Sequence, residues 1–124
     1  MALNVTRPSR FKSYGIHLIL DATEYTVYTC PPNTVAYMTL IFISNGTANA
    51  SDVAVVWNDA DNGTPITVLG SKNLASGEYL QLSGSFLVLE EGDTIKATPD
   101  NTAGGNDPDL GIIVTVEEVF LPNG

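Results

Sequence analysis

The chain has 124 residues, 44% of them hydrophobic, which is the size and composition of one folded domain with its own core. Fourteen acids against five bases give a formal net charge of −9 and exclude a nucleic-acid binder, because phosphate contacts need Lys and Arg. One cysteine excludes an internal disulfide, and no apolar run reaches the length of a membrane-spanning helix, so no membrane partner is expected.

Residues 1–14, MALNVTRPSRFKSY, hold three of the five bases: Arg7, Arg10 and Lys12. They contain no apolar h-region, so no signal peptide is expected. A basic segment on an acidic body is expected to be an extended N-terminal arm that docks on a partner; the plainer alternative is a frayed terminus. Arg7 and Arg10 are the candidate contacts, since a guanidinium grips carboxylates bidentately, and Phe11 and Tyr14 are the candidate apolar anchors.

Residues 15–124 are expected to form a single β-sandwich domain. Strand signals follow in order: GIHLIL (15–20), EYTVYT (24–29), VAYMTLIFIS (35–44), DVAVVW (52–57), PITVLG (65–70), EYLQLS (78–83), SFLVLE (85–90), GDTIKAT (92–98) and LGIIVTVEEVF (110–120). Each is rich in β-branched or aromatic residues and bounded by Gly, Asn, Asp or Pro. No window holds a 3.6-residue apolar period over a helix length. Short strands at roughly ten-residue spacing define an all-β antiparallel sandwich or barrel of eight or so strands, with a jelly roll among the topologies allowed.

The segment PPNTVAYMTLIFISNGT (31–47) is unusual, because a half-buried strand should alternate apolar and polar residues. In a regular strand Val35, Tyr37, Thr39, Ile41 and Ile43 share one face, and Ala36, Met38, Leu40 and Phe42 share the other. A sandwich core covers one face. The second must meet a loop, the arm or another subunit, which makes Tyr37, Ile41 and Phe42 candidate interface residues.

Catalytic signals are thin. His17 stands in GIHLIL without a nucleophile motif around it, so a structural or surface role is expected. Cys30 sits in an apolar context with no cation near it in sequence, the setting of a buried, unreactive thiol. Glu90-Glu91 and Glu117-Glu118 are adjacent strand residues that point to opposite faces and form no carboxylate dyad. The Asp-rich stretches DADNG (59–63) and PDNTAGGNDPD (99–109) read as turn chemistry. The EF-hand pattern fails at Gly63, and a loose calcium site is the lesser alternative. No catalytic residue, cofactor or metal is expected.

Two stretches carry a resemblance. EYTVYTCPPNTVAYMTLIFISNGT is a strand, a proline turn, a long apolar strand and an Asn-rich loop; LASGEYLQLSGSFLVLEEGDTIKAT is a series of small turn-punctuated strands ending in Gly-Asp-Thr-Ile. Together, over about residues 23–98, they resemble small all-β virion structural proteins of tailed bacteriophages. The resemblance implies a non-enzymatic virion protein with other virion proteins and its own copies as partners. A capsid decoration (cement) protein is the first expectation, and a tail, head-tail or fibre-attachment protein the second. A carbohydrate-binding sandwich is the alternative from another class. It would need an exposed aromatic near polar loops, and Trp57 is the candidate; its alternation with Val53 and Val55 places it in the core instead.

Overall fold

The computed structural model describes residues 8–19, 22–100 and 110–122, without the side chains of residues 85 and 86. They form β1 (Ser9–His17), β2 (Tyr25–Thr29), β3 (Thr34–Asn45), β4 (Ser51–Asn58), β5 (Pro65–Leu74), β6 (Tyr79–Leu89), β7 (Thr94–Asp100) and β8 (Leu110–Phe120). The expected segments 78–83 and 85–90 are one strand, β6, carried through Gly84 at φ 100°. The strand expected at 15–20 begins earlier. Residues 9–14, assigned by sequence to the arm, pair with β8 as the first part of β1, because their alternating side chains find partners there. Residues 1–7, and Arg7 with them, lie outside the described residues.

The strands build two four-stranded antiparallel sheets, sheet I in the order β1-β8-β3-β6 and sheet II in the order β2-β7-β4-β5. The chain behaves as one long hairpin folded over itself: β4 pairs with β5, β3 with β6, β2 with β7 and β1 with β8. Consecutive hairpin layers fall alternately in sheet I and sheet II. This is the jelly roll, the eight-stranded double-sheet arrangement. Ile41 and Ile43 of β3 and Ile112 and Val114 of β8 face Val53 and Ile95 of sheet II, all fully buried. Burying each such side chain contributes about 1.5–3 kcal/mol.

The Pro-rich turn and the Asn-rich loop position the long strand between them. Asn33 takes φ 55° and its carbonyl accepts from Leu121 N at 2.8 Å, which ties the β2–β3 turn to the C-terminal segment. At the other end Asn45, 1% exposed, donates to the carbonyls of Asn49 (2.8 Å) and Leu74 (3.0 Å) and accepts from Thr47 N at 2.9 Å. In DADNG, Asp59 Oδ1 accepts from Asp61 N at 3.0 Å, an Asx turn. The stretch 101–109 lies outside the described residues.

Candidate assembly surface

A β-bulge in β3 decides which side chains reach the outside of sheet I. Against β8 the register shifts between Met38 and Leu40, leaving Thr39 as the extra residue, while against β6 it shifts at the same place with residues 84–86 opposite Thr39. Thr39 Oγ1 donates to Thr115 O at 3.2 Å and holds the irregularity in place. One inserted residue reverses side-chain parity beyond it. Ala36 and Met38 point inward before the bulge, and Ile41 and Ile43 point inward after it. Val35 and Tyr37, then Leu40 and Phe42, point outward. The faces expected from unbroken alternation are therefore corrected beyond residue 39. Ile41, a candidate interface residue, is fully buried inside the sandwich.

The outer face of sheet I is ordered in rows by strand register. Val119 and Val35 pair in the first row. Phe11, Glu117, Tyr37 and Val88 cross the sheet in the second. Ser13, Thr115, Leu40 and Ser83 form the third, with Ser13 Oγ and Thr115 Oγ1 2.7 Å apart. Ile113 and Phe42 lead the fourth, and Tyr79 stands beyond Gly111 and Ser44 in the fifth. The Phe42 and Tyr79 rings stack at 5.4 Å. Phe11 is 71% exposed, Tyr79 65%, Val88 48%, Ile113 43% and Tyr37 38%. Among the described residues, the one other large exposed apolar side chain is Ile66, on β5 of sheet II.

The outer face of sheet II is different in kind. Thr94, Lys96, Thr98 and Asp100 alternate outward along β7, Lys96 meets Glu24 at 3.6 Å, and Asn73 donates to Asp52 at 2.7 Å. The two outer faces thus differ in polarity, and the apolar one is larger than scattered single exposures would make it.

Arg10 and Tyr14, expected on an outward docking arm, turn to the other side of β1. Arg10 lies directly opposite Glu118 in the register, and its Nε donates to Glu118 Oε1 at 2.8 Å. Tyr14 donates to Glu118 Oε2 at 3.2 Å, and Tyr28 from sheet II donates to the same oxygen at 2.7 Å. The Tyr14 and Tyr28 rings lie 5.0 Å apart. Burial opposes charge on Glu118, yet hydrogen bonds from Tyr28, Arg10 and Tyr14 hold its carboxyl below the usual carboxylate range. Burial and the bond to Glu118 push the Tyr28 hydroxyl far up, so it remains a donor. This cluster fastens the edge strand β1 to β8 and to sheet II. Arg10 and Lys12 on the inward side of an edge strand also discourage pairing by a foreign strand. Of the candidate interface residues, Phe11, Tyr37 and Phe42 share the outer face, while Arg10, Tyr14 and Ile41 do not.

Cys30, Trp57 and Asp93 have structural partners. Cys30 Sγ donates to Thr34 O at 3.4 Å, and burial pushes its thiol up to about 11, away from the reactive thiolate. His17 is the exposed last residue of β1. Trp57 packs against the core and donates from Nε1 to Asp93 Oδ2 at 3.4 Å. Asp93 also accepts from Ala60 N and Glu90 N at 3.0 Å. Among the described residues no three His, Cys, Asp or Glu side chains converge to hold a metal ion.

Three surface residues were not singled out from sequence: Tyr79, Val88 and Ile113. Ile113 had a signal, as the odd member of the alternation Leu110-Ile112-Val114-Val116. The role of Glu118 had none, since its partners lie on two strands far away in sequence, β1 and β2.

No family model and no curated protein sequence matches this chain. Solved structures share the fold. A chain of the T13 infectious bursal disease virus (IBDV) particle superposes with a TM-score of 0.56 at 9% identity, over 90% of this chain and 31% of that one. A chain of the IBDV Gx strain superposes with 0.53 at 10% identity, over 93% and 33%. A chain of Bacillus endospore appendages, described as disulfide-linked pili, superposes with 0.57 at 14% identity, over 98% and 96%. The chain therefore spans about a third of the viral chains and nearly all of the appendage chain. The jelly roll is common to all of them.

Proposed function

We propose that this protein is a non-enzymatic structural subunit of a virus particle, a capsid decoration protein that binds the shell lattice and its own copies. The observation that carries the reading is the outer face of sheet I. Phe11, Tyr37, Phe42, Tyr79, Val88 and Ile113 form one apolar surface on a domain whose opposite face is polar. Such a face stays exposed in a soluble monomer only at a cost in hydrophobic free energy, and it suits an assembly contact. The fold shared with the IBDV chains and the resemblance of residues 23–98 to phage virion proteins point the same way. So does the structural use of Cys30 and Trp57. Trp57, the candidate ring for a sugar platform, packs against the core with its indole tied to Asp93.

The end-to-end likeness to the appendage chain favours a second reading, a subunit of a filament. The pili named there are disulfide-linked, and this chain has one cysteine, Cys30, which is buried. A filament of this chain would have to be held by other contacts.

The test is quantitative mass spectrometry and immunogold labelling of purified particles from the producing host. The decoration reading expects copies distributed over the shell in numbers comparable with the shell protein. Few copies confined to one vertex or to the tail would move the assignment to a tail or head-tail protein. Absence from particles would overturn the virion reading.

A further inference from the structure

We infer that the outer face of sheet I is closed by the same face of a second copy, about a twofold axis that runs parallel to β8 and β3 and passes between them. The inference rests on the reading of this face as an assembly surface and names its occupant. The argument begins with charge. The chain carries −9, but among the described paired positions of this face there is one carboxylate, Glu117, at its second row. Arg10 and Lys12 point away from it, and Lys72 and Lys96 belong to sheet II. Two copies can therefore approach here without bringing their acidic surfaces together.

Register then selects the axis. A twofold along the strands reverses the order β1-β8-β3-β6 and keeps each row level with itself. Phe11 of one copy meets Val88 of the other, Ile113 meets Phe42, and Val119 meets Val35. Glu117 meets Tyr37, whose hydroxyl can donate to the carboxylate, so the one charge on the face gains a hydrogen-bond partner. A twofold across the strands would instead lay Glu117 on Ile113 of the other copy, which offers the buried carboxylate no hydrogen-bond donor, a costly arrangement. Size is sufficient. Four strands about 4.8 Å apart and about nine residues long at 3.3 Å each give a face of about 600 Å². Two copies would hide about 1,200 Å², the lower bound for a specific interface, before side-chain relief is added. Two sheets stacked face to face in this way lie about 10 Å apart.

Light scattering coupled to gel filtration on the full chain is expected to give a dimer. Ile113→Glu, at an exposed position, is expected to weaken it on the order of 100-fold while circular dichroism keeps its β spectrum. Tyr37→Phe keeps the ring, removes the donor to Glu117 and is expected to weaken the dimer less, which covers the case in which Ile113→Glu does not fold. The axis is tested by mixing Phe11→Cys protein with Val88→Cys protein and adding a short bismaleimide. Cross-linked dimer is expected from the mixture and not from either variant alone. A wild-type chain that stays monomeric at high concentration overturns the inference. So does a dimer that tolerates Ile113→Glu, or cross-linking of Phe11→Cys to itself. A monomer that is nevertheless found on particles would refute the pairing and leave the virion reading standing; a dimer absent from particles would do the reverse.

Discussion

Replacing Glu118 with Ala tests the most specific packing feature of the sandwich. The carboxylate is fully buried and accepts from Arg10 at 2.8 Å and Tyr14 at 3.2 Å on β1, and from Tyr28 at 2.7 Å on β2 of the other sheet. The bond from Tyr28 is the most protected, since Tyr28 is 3% exposed. A hydrogen bond to a charged acceptor is worth about 1.5–3 kcal/mol, and truncation would strand the Tyr28 hydroxyl without a partner at a cost of about 1–3 kcal/mol. The ion pair to Arg10 adds little, because its side chain is 51% exposed and screened by solvent. Relief of the buried charge offsets part of the loss, so the expected net cost is about 3 kcal/mol. That corresponds to a fall in Tm of about 10 °C for a domain of this length. Urea unfolding followed by the fluorescence of Trp57, the single tryptophan, measures it. Arg10→Ala is the control and should cost far less. Equal effects of Arg10→Ala and Glu118→Ala, or a Glu118→Ala protein as stable as the parent, would refute the view that Tyr28 and burial make this carboxylate important.

Three further outcomes follow from the same geometry. The Glu118 carboxyl is held below its unfolded value of about 4.3, so its contribution is complete above that pH and is lost as pH falls through the folded value; thermal melts from pH 7 to pH 3 should show an acid loss that Glu118→Gln lacks. Ile41→Asp should prevent folding, since it places an unpaired charge in the core, whereas Phe42→Asp, one residue later and on the outer face, should leave the β circular dichroism spectrum intact; a folded Ile41→Asp protein would contradict the bulge. Cys30 should react with a thiol reagent only on the timescale of unfolding, and rapid labelling of native protein at pH 7 would show that the thiol is more open than its contacts with Thr34 and Leu89 imply.

Much of the architecture was legible in residue order. β-branched runs separated by Gly, Asn, Asp and Pro placed strands close to β2, β3, β4, β7 and β8, because backbone preference and turn chemistry act locally. The segment 31–47 already showed that β3 is apolar on both faces. Alternation also placed Val53, Val55 and Trp57 together and separated Glu117 from Glu118. The joining of 78–83 to 85–90 was not legible, since Ser83-Gly84-Ser85 reads as a turn until β3 is available to pair on both sides of it.

The surface was half legible. Phe11 could be named as an apolar anchor of the arm, and Tyr37 and Phe42 as members of a strand apolar on both sides, although unbroken alternation put those two on opposite faces. Arg10 and Tyr14 were drawn to the arm by charge asymmetry, yet strand parity turns them inward toward a glutamate 108 residues away from Arg10. What the sequence by itself determined is the strand content, the turn positions and the presence of an excess of apolar surface, all consequences of short-range preferences. Only the tertiary structure decided which side of β3 that surface occupies. The bulge at Thr39 is defined by β8, whose consecutive residues Val116 and Thr115 stand opposite Met38 and Leu40, and that pairing exists only once distant strands have met.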